Sequence, residues 1–257
     1  MVKVKITQRG LRFARGSLLP TMVLVLWWWL TAIRGYGGGI LPTPAALVTA
    51  LRRLMSTGEL VGHIGISLRR IGQGFSLAAG LAIPFGILVA SLPAFGQLTL
   101  PTLEFLRQIP PVAWIPVFIL VLGIGEATKL AVIVYAAFFP IFMNTILGVT
   151  QIDPHYREVA RLLQFSRWEN LRELILPAAT PSLVTGVRLG LSNSWRALVA
   201  AEMLAAFSGL GYMIMSARSL VRMDEVFIGI VAIGLLGSCF DWGCRVLEKH
   251  LLYWRGE

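Results

Sequence analysis

Charge is scarce in this chain. Only 14% of its 257 residues are Asp, Glu, Lys or Arg, while 56% are hydrophobic. A soluble domain carries about 25% charged residues, and one core could not hide so much apolar surface. These proportions imply a polytopic membrane protein of one domain. Cysteine and histidine are also sparse, at two and three residues. Cys239 and Cys244 lie in an apolar run, separated by about 7.5 Å of helical rise, too far to bridge without unwinding. No CxxC pair or Cys/His cluster occurs, and His63, His155 and His250 are far apart, so metal and redox chemistry lack support. The Gly-x4-Gly-Lys-Ser/Thr loop that cradles ATP is missing. So are HExxH and GxSxG, which removes the usual signatures of a membrane-embedded enzyme.

The net charge of +10 does not point to nucleic acid. The basic residues are spread over tails and short connections with no recognition motif beside them, as the positive-inside rule and anionic lipid require. Residues 1–16 hold Lys3, Lys5, Arg9, Arg12 and Arg15 and no acid. The apolar stretch that follows, Ser17–Ile33, is long for a signal peptide and lacks a clean cleavage site, so an uncleaved first span is expected. Trp27, Trp28 and Trp29 suit its outer interface. From about Pro44 a short amphipathic helix with Leu47, Leu51 and Leu54 on one face is expected. Further spans are expected over His63–Leu92, Leu100–Gly123 (interrupted by Pro110, Pro111 and Pro116), Leu130–Val149, Ala178–Phe207 and Phe227–Leu247. Each is adequate for a hydrocarbon layer of about 30 Å.

Six spans with a cytoplasmic basic tail also place the C-terminus inside. The domain plan is then a tail at 1–16, a first transmembrane helix and amphipathic outer segment at 17–60, a five-helix core at 61–250, and a cytoplasmic tail at 251–257. Inside the core lies Glu158–Pro177, EVARLLQFSRWENLRELILP, whose polarity breaks the apolar pattern. Val159, Leu162 and Leu163 form one helical stripe. Trp168, Leu171, Leu174 and Ile175 form a second, after a bend at Gln164–Ser166. Topology puts the segment in the cytoplasm. Such a helix pair can lie at lipid headgroups or dock into a groove of a soluble partner, and its mixed charge favours the partner.

These residues resemble the cytoplasmic signature of binding-protein-dependent ABC importer permeases, a Glu-Ala-Ala, Gly, Ile-x-Leu-Pro pattern. Glu158, Ala160, Leu176 and Pro177 match it; Val159 replaces Ala, Leu174 replaces Ile and Gln164 replaces Gly. A left-handed backbone at a residue other than glycine costs about 1 kcal/mol. Leu106–Lys129, Gly186–Met203 and Ser208–Arg218 are similar to stretches of the taurine, alkanesulfonate and nitrate branch. The resemblance implies an all-α, MetI-like type I importer permease fold in a bacterial inner membrane. It implies coupling helices at about 153–176, with Glu158, Val159, Ala160, Leu162, Leu163, Gln164, Leu176 and Pro177 meeting the ATPase. The implied partners are a second copy, two cytoplasmic ATP-binding subunits that hold ATP and Mg, and an extracytoplasmic solute-binding protein. The expected cargo is a sulfonate such as taurine, with nitrate, bicarbonate or another small solute as the alternative. A proton-coupled secondary transporter is the competing class, but it would show internal repeats and no such helix pair.

Ionisable residues within spans are costly and default to function or pairing. Arg107, Arg188, Arg196, Glu202 and Asp241 qualify. Arg107 can snorkel to the interface or face a path. Arg196, Ser192, Ser194, Glu202 and Arg107 are candidates for the translocation path, where Arg196 can attract an anion in transit or else pair with Glu202 or Asp241. Gly186, Gly190 and Ser194 make a small-residue face for close helix packing, favoured within one subunit.

Overall fold

The computed structural model describes residues 21–23, 25–31 and 41–252, all helical or connecting. The basic tail at 1–16, both ends of the Ser17–Ile33 stretch, Arg34 and the chain from 253 onward lie outside the described residues. Helix α1 covers Thr21–Thr31, Leu24 aside. The Trp27 indole donates to the Pro42 carbonyl at 3.2 Å, which ties α1 to the start of α2, Pro44–Ser56. Thr43 caps α2, its hydroxyl accepting from the Ala46 N–H at 3.2 Å. The inward face of α2 carries Ala50 and Leu54, with Leu47 packed alongside. Leu51, expected there, is exposed instead.

Helices α3 (Glu59–Ser91), α4 (Pro93–Arg107), α5 (Ile115–Leu122) and α6 (Glu126–Thr150) follow. Then come the short α7 (Pro154–Leu162), the long α8 (Arg167–Ala205), α9 (Leu210–Ser219) and α10 (Met223–Leu251). Among the described residues α3, α6, α8 and α10 are long and apolar enough to cross a bilayer, and the bent pair α4–α5 makes a fifth candidate. The sixth expected span falls on α1, whose flanks are not described.

The third span departs most from expectation. Leu100–Gly123 is not one kinked helix: its two halves meet at 90°. Two successive prolines, Pro110 and Pro111, supply no N–H, and each pushes its predecessor out of the helical region. The break frees carbonyls that lipid cannot satisfy. The Tyr135 hydroxyl on α6 donates to the Leu106 carbonyl at 2.5 Å and reaches Ile109 at 3.4 Å. Thr128 closes the other end, donating to the Gly123 carbonyl at 2.6 Å.

Helix α6 is the axis of the packing. A Cβ added at Gly74 or Gly86 of α3 would meet Ile133 at 2.6 Å or Thr145 at 2.8 Å, so α3 runs parallel to α6. On α8, Gly186 faces Asn144 at 2.7 Å and Gly190 faces Ile141 at 2.8 Å, so α8 runs antiparallel. The small-residue face therefore packs within the subunit, as expected, and side chains there would force helices apart. Phe142 is buried, stacked on Phe85 and Phe138, each at 5.4 Å.

Candidate functional site

Two places concentrate unusual chemistry, the segment around α7 and a polar cavity at mid-depth. Asp153 starts α7, accepting from the His155 N–H at 2.9 Å, with Pro154 at the first helical position where no N–H is needed. The helix ends on Gln164, whose φ is +55°. The Phe165 N–H bonds to the Ala160 carbonyl and the Gln164 N–H to Arg161, both at 3.0 Å. That is a Schellman closure. Gln164 thus adopts the backbone that the resemblance assigns to glycine. Ser166 then restarts the helix with a capping box: its hydroxyl accepts from the Glu169 N–H at 3.3 Å, and its own N–H donates to the Glu169 carboxylate at 2.7 Å.

A β-branched residue tolerates positive φ poorly. Gln164→Val is expected to lower stability by about 1–2 kcal/mol, read as a lower denaturation midpoint, while Gln164→Gly leaves the closure intact.

Nearly all of α7 is exposed, and its surface carries an apolar stripe among charged residues. Leu162 is 82% exposed, Leu163 62% and Val159 51%, and Glu158 is exposed beside His155. Ala160 faces inward. The Arg157 guanidinium donates to the Val149 carbonyl at 2.7 Å, fastening α7 to the last turn of α6. The second expected amphipathic helix is not separate. It runs into the fifth span as α8, through a π-helical turn over Asn170–Ile175, a register that recurs at functional sites. Leu176 and Pro177 open the α-helical part that follows.

The cavity, of about 620 Å³, lies between α4, the Pro111–Trp114 turn, α6 and α8. Arg107, Gln108, Tyr135, Asn144, Asn193 and Arg196 supply its polar lining. Arg196 donates to the Asn193 side chain at 2.7 Å and pairs with neither Glu202 nor Asp241. Asp241 instead accepts from Arg188 at 2.7 Å and from Arg245 at 2.6 Å. Ser192, Ser194 and Glu202 are not among the lining residues. Ser194 is fully buried and donates to the Leu191 carbonyl at 3.0 Å.

Glu202 belongs to a cluster that the sequence does not announce. It is fully buried and meets Arg70, itself 1% exposed, at 2.8 Å. Arg70 uses every N–H of its fork: Nε and Nη2 on Glu126 at 2.8 and 2.6 Å, Nη1 on Glu202 and on the Ser208 carbonyl at 2.7 Å, and Nη2 again on the Ser208 hydroxyl at 2.8 Å. Ser67 donates to Glu202, and the Gly211 N–H adds a bond at 3.0 Å. The Ser67 hydroxyl in turn accepts from the Leu210 N–H, and His63 from that of Gly209. The cluster joins α3, α6, α8 and α9 at the end of the bundle away from α7. Arg70 lies beside Arg69 near the outer end of the expected second span. Its one available signal was two adjacent arginines within an apolar run.

The profile of the family described as binding-protein-dependent transport system inner membrane component matches residues 82–253. The chain belongs to this family. The permease is 37% identical, over its whole length and 93% of the relative, to the putative aliphatic sulfonates transport permease SsuC of Bacillus subtilis. It is 33% identical to the taurine transport system permease TauC of Escherichia coli, covering 97% of this chain and 92% of that one. It is also 33% identical to the nitrate import permease NrtB of Synechocystis, covering 91% and 88%. An inward-facing structure of the MetNI methionine ABC transporter superposes with a TM-score of 0.62 at 16% identity, over 72% of this chain and 92% of that one. The fold is thus the all-α, MetI-like permease fold, and the permease is a multi-pass inner-membrane subunit of a binding-protein-dependent system. It is a transport subunit, not an enzyme. No group of His, Cys, Asp and Glu able to hold a metal occurs among the described residues.

Proposed function

We propose that two copies of the permease form the translocation path of an ATP-driven importer for small sulfonates such as taurine and the alkanesulfonates. Two cytoplasmic subunits bind ATP and Mg and receive α7 in a groove, with Val159, Leu162 and Leu163 as the apolar contact and Glu158 at its edge. A solute-binding protein delivers the cargo at the opposite face. N- and C-termini lie in the cytoplasm with α7. The observation that carries the docking role is the exposed apolar stripe of α7, a helix capped at its start by the Asp153 side chain, closed at its end over Gln164 and anchored to α6 through Arg157. A stripe so exposed needs a partner, and its acid and base neighbours suit a protein groove better than headgroups. Sulfonate ranks before nitrate because relatives with aliphatic sulfonate names reach 36–37% identity, against 33% for the nitrate relative.

Docking to α7 transmits motion directly, because α8 is continuous from Arg167 to Ala205. Displacing its first turns tilts the wall that carries Asn193 and Arg196. Native mass spectrometry of the permease, co-expressed with its ATP-binding subunit, should give a complex of two copies of each. Recovery of the permease free of that subunit would overturn this assembly.

A further inference from the structure

Arg107 and Arg196 line one cavity with no acidic side chain among the described lining residues. Two other arginines within the long helices are neutralised: Arg188 meets Asp241, and Arg70 meets Glu202 and Glu126. Both residues are exposed in the single subunit, and two guanidinium groups sharing a cavity without a carboxylate repel each other. Arg107 makes no ion pair among the described residues, and Arg196 commits one N–H, to Asn193. Most of the donors of two planar forks remain unspent, and such forks match an oxyanion bidentately. Gln108, Asn144, Asn193 and Tyr135 complete a polar wall, and Phe139, Met143 and Leu189 supply apolar surface. The volume lies in the range of small-molecule sites.

From these contrasts we propose that Arg107 and Arg196 form an anion-binding site inside the permease, a two-arginine clamp for a small oxyanion in transit. The proposal rests on the transport role above and adds to it a selection step in the permease itself. The two arginines sit on separate elements. Arg196 is on α8. Arg107 is the last residue of α4, its position fixed by the break that Tyr135 holds through the Leu106 carbonyl. Rocking α8 against α4 therefore makes or opens the clamp, so its grip depends on the transport state. Tyr135 and Asn144 lie about 13 and 27 Å along α6 from its start, well inside its two ends. Lipid phosphates sit at the ends, so a free anion fits this depth better than a headgroup.

Reagent charge selectivity tests the clamp. With Cys239→Ser and Cys244→Ser in the full assembled importer, Met143→Cys places a thiol in the cavity wall; Leu189→Cys is the second variant should the first not assemble. The probes are the anionic sulfonatoethyl and the cationic trimethylammonioethyl methanethiosulfonates, applied in phosphatidylcholine nanodiscs. The anionic-to-cationic rate ratio should exceed that for 2-mercaptoethanol in solution by about tenfold. It should fall by a similar factor in Arg107→Gln and in Arg196→Gln, and added taurine should slow the anionic reagent. A ratio equal to the solution value and unmoved by either substitution overturns the clamp. So does a ratio abolished by phosphatidylglycerol and insensitive to taurine, which assigns the site to lipid. If the ratio behaves as expected while the importer moves no taurine, the anion site stands and the sulfonate assignment fails.

Discussion

Leu162→Glu with Leu163→Glu is expected to abolish co-purification of the ATP-binding subunit and to reduce transport by at least about a hundredfold. The permease itself should keep its expression and thermal midpoint. The two side chains are 82% and 62% exposed, so nothing in the bundle depends on them. Burying two leucines in a partner contributes about 1.5–3 kcal/mol each, and placing carboxylates in an apolar groove adds a desolvation cost. Together these exceed the roughly 2.7 kcal/mol of a hundredfold loss. Ala160, two positions before Leu162 but buried, gives the contrast. Ala160→Glu should lower the stability of the permease as well as its docking. If the double glutamate variant still holds the ATP-binding subunit through gel filtration, α7 is not the contact.

Arg70→Ala is expected to cost about 3–5 kcal/mol, the range for breaking a buried ion pair by removing one partner. The loss leaves Glu202 fully buried with only Ser67 and the Gly211 N–H for its charge. It also frees the Ser208 carbonyl and hydroxyl that hold the α8–α9 connection. The partly exposed Glu126 contributes less than Glu202, because water screens its charge. Arg70→Lys does not rescue: three donors on a point charge cannot replace a planar fork that makes five bonds to three residues. Glu202→Gln should cost less, about 1–3 kcal/mol, since Arg70 keeps Glu126 and Ser208. Thermal denaturation of the detergent-purified permease should place Arg70→Ala at least about 6 °C below the parent, with Glu202→Gln between them. Equal midpoints for all three would mean that the cluster holds nothing together.

Periodicity made the α7 stripe legible, because Val159, Leu162 and Leu163 obey local helical spacing. The bend at Gln164 was legible too, as a break between two stripes, although only backbone geometry shows a glutamine in the left-handed region. The small-residue face on α8 was readable as close packing for the same local reason. Arg70 was not, because its partners Glu126 and Glu202 are distant in sequence and belong to other helices; no window along the chain brings them together. The 90° break in the third span was visible as two prolines, but its angle depends on Tyr135 donating across from α6. Arg196 shows the limit most clearly. Its alternatives, pairing or lining a path, are separated only by where Glu202 and Asp241 spend their charge, and that is a property of the whole bundle.

Uptake of labelled taurine into vesicles tests the central claim most directly. The permease, its ATP-binding subunit and its binding protein are reconstituted together, with ATP supplied on the side of α7. Accumulation should require ATP, should vanish without the permease, and should persist when proton and sodium gradients are collapsed. Uptake that ignores ATP and follows a gradient would contradict the account.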